Sequence, residues 1–319
     1  MPITRAFVTG GAGFIGSNMV AELLARGVNV VVYDNLCTGQ SRFLPPAPGQ
    51  LTFVQGDLLD TACLNRSMAG CDFVFHYAAN ADVRFGTDHP TRDLEQNTIA
   101  TSNVLEAMRL NGVSRILFTS TGSVYGEPEV FPTPETAPFP VQTSLYGASK
   151  LAGEALIQAY CNGFGFQAWI FRLVSMLGPH YTHGHVFDFV RNLQVDPTQL
   201  HVLGNGHQRK SYLYIKDCIA GQLHAIEHAT APLNILNIGS DEACEVNDSI
   251  GWICAELEVD PVRHYSGGQR GWIGDCPFIH LDCSRLRALG WQPTLTIREA
   301  VVETVRFLVA NPWVFEHRD

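Results

Sequence analysis

Residues 7–27 read FVTGGAGFIGSNMVAELLARG. A short β-branched run ends at Thr9, glycines follow at Gly10, Gly13 and Gly16, and helical spacing carries on to Arg26. Glycines so placed between a strand and a helix meet three demands: a tight turn, close backbone approach to a pyrophosphate, and close packing of helix on sheet. The helix N-terminus then offers N–H groups to an anion. An ordinary turn also carries glycines, so the neighbouring sequence has to decide. NVVVYD, residues 29–34, is a second strand that ends on Asp34, 18 residues past Gly16. A carboxylate there accepts from both ribose hydroxyls and repels a 2′-phosphate, which favours NAD over NADP.

The same alternation extends outward. Strands are expected at 5–9, 29–33, 52–55, 73–77, 115–120 and 167–173, with helices near 13–26, 60–68, 90–111 and 144–164. This β-α-β order predicts an α/β fold, a Rossmann-type doubly wound parallel sheet. Beyond residue 173 the pattern loosens into a His-, Gly- and Pro-rich stretch, 178–206. A strand-like SYLYIKD (211–217), a helix at 218–228, a strand LNILNIG (233–239) and helices at 246–257 and 297–310 follow. Late strands of this kind predict a discontinuous division. Residues 1–172 plus about 211–240 would form the NAD-binding part, and 173–210 with 241–319 a smaller α+β substrate-binding domain. The tail NPWVFEHRD is expected to be loose or to dock on a neighbour.

Composition bounds the function. At roughly 150 residues per domain, 319 residues suggest two domains. Lys and Arg number 21 against 31 Asp and Glu, a net charge of −10, which argues against nucleic acid as partner. No apolar run approaches the ~20 residues that span a bilayer, and no secretory signal is visible, so no membrane role is expected. Nine cysteines without a C-x-x-C read as reduced thiols in a cytoplasmic protein. His180, His183 and His185 share a stretch with no carboxylate or cysteine at ligand spacing, so a substrate-lining loop is expected there and no metal.

Tyr146 and Lys150 in SLYGASKLAGEAL stand four apart on an expected helix, which puts phenol and ammonium on one face. A phenol near pKa 10 is a poor base at neutral pH; a lysine and a cationic nicotinamide beside it would favour the phenolate. The tyrosine could then take a proton from a sugar hydroxyl as hydride leaves the same carbon. Asp57, after the third strand, suits either the adenine amino group or the N-cap of the next helix.

GGAGFIG, DNLCTG, GDLLD, HYAANADVR, TSTGSVYGE and YGASK follow one another in this order. Together they resemble the extended short-chain dehydrogenases/reductases of the NAD-dependent epimerase/dehydratase family, most of all its UDP-galactose (UDP-glucose) 4-epimerases. The resemblance implies tightly held NAD, a nucleotide-diphosphate sugar as substrate and a homodimer built on the helices near 90–111 and 144–164. It assigns Thr121, Tyr146 and Lys150 to catalysis. It places Phe14 and Ile15 at the pyrophosphate, Asn35, Thr38 and Gly39 at the adenosine ribose, and Asp57 and Leu58 near the adenine. Tyr77, Ala78, Ala79 and Asn97 fall along the middle of the cofactor.

The family's dehydratases carry an Asp-Glu pair just after the residue matching Thr121, and its uronate decarboxylases a Glu; this chain has Gly122 and Ser123. That implies 4-epimerisation through a transient 4-keto sugar. A 4-keto-sugar reductase, an NDP-uronate decarboxylase and a non-catalytic NAD sensor are the alternatives. Lys210 and Arg270 match a diphosphate clamp, Ser123 lies in the catalytic loop, and Ser175 replaces an Asn common in the family. Arg84 suits either a substrate anion or an ion pair with Asp82 or Asp88. Ile279 falls near the position that limits the sugar's C2 substituent.

Overall fold

The computed structural model describes residues 2–317 apart from 82, 140 and 269–277. The first strands are β1 (Arg5–Thr9), β2 (Asn29–Asp34), β3 (Leu51–Gln55), β4 (Phe73–His76), β5 (Arg115–Thr121) and β6 (Gln167–Leu173). Later in the chain come β7 (Ser175–Leu177), β8 (Gln199–Val202), β9 (Arg209–Lys210), β10 (Tyr212–Tyr214), β11 (Leu233–Ile238), β12 (Cys244–Glu245), β13 (Val262–Tyr265) and β14 (Phe278–Ile279). Seven of them form one parallel sheet in the order β11-β6-β5-β4-β1-β2-β3. The direction of winding reverses between β1 and β4. In open α/β sheets ligands bind beyond the carboxyl ends of the strands at such a reversal.

The helices are α1 (Phe14–Ala25), α2 (Thr61–Ser67), α3 (Val83–Asp88), α4 (Pro90–Asp93), α5 (Ala100–Asn111), α6 (Leu145–Phe164), α7 (His185–Val195), α8 (Ile215–His228), α9 (Val246–Leu257), α10 (Ser284–Ala288) and α11 (Ile297–Ala310). Two apolar clusters form on the central sheet. One holds Val8, Val32 and Phe75 with Met19 of α1 and Leu223 of α8. The other holds Phe7, Val31 and Val74 with Leu64 of α2 and Val104 of α5. Neighbouring residues of one strand go to opposite clusters, so past their first residues β1 and β2, like β4, are buried on both faces and read as near-continuous apolar runs.

Three elements depart from the sequence expectations. The helix expected over 90–111 is interrupted: a π-helical turn, Leu94–Ile99, joins α4 to α5. SYLYIKD does not enter the central sheet. Its Tyr212–Tyr214 pairs with Ser175–Leu177, and helix α8 begins at Ile215, because the apolar run straddles the junction. The His-rich stretch contains α7, which turns Val186, Phe187, Phe189, Val190 and Leu193 into the core. The tail docks on its own chain, with Val314 buried and Phe315 packed 4.8 Å from Phe187.

The remaining short strands β12-β9-β14 and β13-β8 build the smaller part. Among the described residues no helix is long and apolar enough to cross a membrane, and no group of three or more His, Cys, Asp or Glu could hold a metal ion.

Candidate active site

The turn after β1 closes tightly on itself. Gly10 has φ +64°, and a Cβ there would lie 2.6 Å from the amide nitrogen of Ala78. A Cβ on Gly16 would collide with the carbonyl oxygen of Gly10, and one on Gly39 would come 2.9 Å from the Ala12 backbone. Gly13 caps α1 with no side-chain hydrogen bond, and the first turn of that helix carries no acidic residue. The backbone N–H groups at Phe14 and Ile15 therefore face an anion site in the sense of a helix N-terminus. Phe14 turns its ring away into the core, edge-on to Tyr181 at 5.4 Å.

Asp34 ends β2 and is 8% exposed. Its carboxylate accepts from Ala12 N at 2.9 Å and Leu36 N at 2.8 Å, which locks the glycine turn to the next strand. Burial raises its pKa while those two N–H groups lower it. Each carboxylate oxygen retains a lone pair, so the group fits a ribose diol. Asn35 donates to Asp57 Oδ2 at 3.0 Å, and Asp57 Oδ1 accepts from Leu59 N at 2.9 Å. The N-cap of α2 is Asp60, not Asp57, accepting from Cys63 N at 3.0 Å. Thr38 is exposed beside Gly39, whereas the Leu58 side chain is buried in the sheet-helix core. Glycines with no room for a Cβ, an uncapped helix start and a carboxylate at the second strand together fit a dinucleotide.

The chain after β4 completes that wall. Ala78 N donates to Thr9 Oγ1 at 3.3 Å, and Ala79 is partly exposed next to it. Tyr77 presents backbone only, because its phenol donates to Gln222 Oε1 at 2.7 Å. Asn97, carried by the π turn, is 2% exposed and is held by Asn80, Asp93 and Ser149.

Thr121 closes β5, and Tyr146 and Lys150 lie on α6, whose first turn is capped by Ser144 accepting from Gly147 N at 3.0 Å. Thr121 donates to Ser123 Oγ at 3.2 Å, and its hydroxyl favours the ionised form of the Tyr146 phenol. Lys150 lies one turn beyond the tyrosine: its ammonium donates to Thr119 O at 2.9 Å and lies 4.7 Å over the Phe118 ring.

The charge states follow from burial. Desolvation pushes the Tyr146 phenol up to about 12, and Asp93 adds to this while Thr121 opposes it. Burial brings Lys150 down to about 7 against the pull of Glu154 and Asp93. Desolvation thus moves the phenol opposite to the lowering expected from the lysine, and the chain's own groups keep Tyr146 protonated at neutral pH.

Two carboxylates near this pair were not singled out from the sequence. Glu154 is one helical turn beyond Lys150 and binds Arg172 of β6 twice, at 3.0 and 2.7 Å, with both side chains essentially buried. Its spacing from Lys150 was the available signal. Asp93 is 1% exposed and reaches the pair across α6.

The residues expected on the substrate side lie on the short strands β7, β9 and β14. Ser175 is exposed at the start of β7, and its partner in register is Tyr212, two residues from Lys210. Lys210 lies opposite Ile279, and a Cβ on Gly122 would come 3.0 Å from Ile279 Cγ2. The catalytic loop, Lys210 and Ile279 are therefore close neighbours. Arg209 packs its guanidinium 4.9 Å from the Phe278 ring. Arg270, Asp82 and the side chain of Arg84 lie outside the described residues. The three histidines do not form one group. His180 stacks on Phe43 at 4.4 Å, His183 lies beside Tyr181, and His185 bonds Ser249 at 2.8 Å.

Comparison with known proteins agrees with this geometry. Residues 6–239 match the family model for the NAD dependent epimerase/dehydratase family. The chain is 33% identical to UDP-glucose 4-epimerase of Mycolicibacterium smegmatis, covering 95% of this chain and 98% of that one. A solved UDP-galactose 4-epimerase superposes with TM-score 0.88 at 38% identity, covering 97% of this chain and all of the other. The dTDP-glucose 4,6-dehydratase DesIV of Streptomyces venezuelae, solved with NAD bound, superposes with TM-score 0.90 at 27% identity over 99% of this chain and all of that one. By motif, geometry and similarity over most of its length, the chain belongs to the NAD-dependent epimerase/dehydratase family.

Proposed function

We propose that this chain is an NAD-dependent 4-epimerase of nucleotide-diphosphate hexoses of the UDP-glucose/UDP-galactose type. Likeness of fold does not choose the reaction, because a 4,6-dehydratase superposes as well as an epimerase does. The observation that carries the choice is the loop after Thr121. Dehydration needs an acid and a base beside the sugar, and the loop offers Gly122 and Ser123. Ile279 fills the space where a side chain at 122 would go. The next carboxylates, Glu127 and Glu129, are exposed, and Glu135 is committed to Asn237 N at 2.8 Å and to Arg285.

Bound NAD supplies the hydride acceptor and donor at C4. Gly10, Gly13, Gly16 and the backbone of Phe14 and Ile15 hold its diphosphate, and Asp34 holds the adenosine ribose. With the cationic nicotinamide of bound NAD favouring the phenolate, Tyr146 would take the C4 hydroxyl proton and later return it, and Thr121 would hydrogen-bond the same oxygen. Lys150 stabilises the phenolate electrostatically and binds the second ribose. Lys210 binds the substrate diphosphate, a role that the resemblance also gives to Arg270. The protein acts as a homodimer through the 90–111 segment and α6, where Leu94 and Ile99 of the π turn and Phe164 of α6 are exposed and suit a helical interface. Its solution mass checks this.

The deciding experiment incubates the purified protein with UDP-glucose, UDP-galactose, their N-acetyl forms and UDP-glucuronate without added NAD. The expected product is the 4-epimer of at least one. No epimer from any of them, with net NADH consumption on a 4-keto sugar, would falsify the proposal in favour of a reductase. Tyr146→Phe is expected to lower the rate roughly 10²- to 10⁴-fold while NAD stays bound.

A further inference from the structure

Asp93 is a buried carboxylate beside the reacting pair that the reaction as written does not use. It ends α4, and its Oδ1 accepts from Asn80 Nδ2 at 2.8 Å and from Asn97 Nδ2 at 3.2 Å. Its Oδ2 lies against Gly86 of α3, where a Cβ would collide with it. Asn97 continues the chain of bonds. Its amide nitrogen also donates to Ser149 Oγ at 2.9 Å, and Ser149 Oγ donates to the Tyr146 carbonyl at 2.8 Å. Asn97 Oδ1 accepts from Asn80 N at 2.8 Å.

The backbone here is unusual as well. Asn97 stands on the π turn Leu94–Ile99, a rare widened turn that is frequent at functional sites. Removing a carboxylate from water costs several kcal/mol, and packing alone would not require one at this place.

We propose that Asp93 is a positioning residue for the reaction: it anchors Asn97, and through Asn97 and Ser149 it fixes the first turn of α6 and the Tyr146 phenol. The proposal rests on Tyr146 being the base, as proposed above. The carboxylate also faces both reacting groups electrostatically and favours the protonated form of each. Glu154 on α6 and His76 on β4 are the other titratable groups acting on or sensing Lys150.

The test compares Asp93→Ala, Asp93→Asn and Gly86→Ala in the NAD-loaded protein. Asp93→Ala is expected to lower kcat about 10- to 100-fold, with KM held within about threefold. The acid limb of its kcat–pH profile moves to lower pH by about 0.5 or more, because a charge opposing the phenolate is gone. Asp93→Asn keeps an oxygen acceptor, so it recovers most of kcat but retains the displaced profile. Gly86→Ala crowds Oδ2 from outside the site and reproduces the loss of kcat. Titration of the phenol by ultraviolet difference against Tyr146→Phe reads the same displacement without substrate. That readout therefore holds even if the wild type epimerises none of the sugars. A wild-type kcat and profile in Asp93→Ala overturns the proposal. So does a loss that tracks Tm alone, with kcat per NAD-loaded site and the phenol titration unchanged.

Discussion

Replacing Lys150 with Met removes a cation that the fold holds at a cost. The side chain is 3% exposed, donates to Thr119 O at 2.9 Å and rests on the Phe118 ring. Burial brings its pKa from 10.5 down to about 7 in the folded chain, whereas the unfolded chain keeps the ordinary value. Between those two values the unfolded lysine holds a proton that the folded one has lost, so folding stability rises with pH across this window. The slope is about 1.4 kcal/mol per pH unit, and the sum is on the order of 5 kcal/mol. Below about pH 7 both forms are protonated and the full cost is present. Methionine carries none of it. It leaves the Thr119 carbonyl without its donor, which costs about 1–2 kcal/mol. Lys150→Met is therefore expected to be more stable than the wild type by on the order of 3 kcal/mol at neutral pH, with the gap closing toward about pH 10. Urea unfolding of both NAD-free proteins from about pH 6 to about pH 10 measures it, and the difference cancels every other titrating group. A gap that stays flat above about pH 7, or widens, refutes the reasoning. The same variant should lose activity, a stability-for-function exchange common at active sites.

Three further outcomes are expected. Gly16→Ala forces a Cβ onto the Gly10 carbonyl; it should cost roughly 1–3 kcal/mol and leave the purified protein with less NAD, measured by absorbance after denaturation. The buried Arg172–Glu154 pair should show strong coupling: either single replacement by an apolar residue costs about 3–5 kcal/mol, whereas the double replacement recovers much of that, as read in a double-mutant cycle. Burial lowers His76 to about 3, His180 to about 4 and His185 to about 3. The unfolded chain therefore takes up protons below about pH 6.5 that the folded chain refuses, and stability falls with pH by up to roughly 1 kcal/mol per unit for each histidine. Urea midpoints that match at pH 7 and at about pH 5 would count against this.

Much of the platform was legible because its signals are local. β1 and β6 fall where the β-branched runs between turn residues place them, and α9 and α11 match their helical periodicity to the residue. The glycine turn, Asp34 and the Tyr146/Lys150 spacing are likewise short-range patterns tied to one backbone geometry. The π turn was not legible, since a register change in hydrogen bonding leaves no mark in the apolar pattern. The phenol's high pKa was not legible either. It depends on desolvation, which only the packed chain sets, while the lysine expected to counter it spends its hydrogen bond on Thr119. Asp93 stayed hidden because its link to Tyr146 runs through Asn97 and Ser149, 4 and 56 residues away in the chain.

The substrate half resisted reading for a different reason. Its sheet β12-β9-β14 is made of two-residue strands drawn from residues 209–210, 244–245 and 278–279, each too short to show a period. What holds them is long-range. Ser211 N donates to Ile279 O at 3.1 Å, Ser211 Oγ to Ser240 O at 3.1 Å, and Asn237 Nδ2 to both Thr133 O and Asp282 O. This stitching bears on function, because it puts Lys210 opposite Ile279 and Ile279 against Gly122, next to Thr121. Lys210, proposed to hold the diphosphate, and Ile279 thus share one short strand pair that the loop at Gly122 abuts. A larger side chain at Gly122 would press on Ile279 Cγ2, and Ile279 is paired with Lys210. Substitution at Gly122 should therefore alter which sugar is accepted and how tightly the nucleotide is held at the same time, and separate effects on the two would show that the strand pair is not rigid.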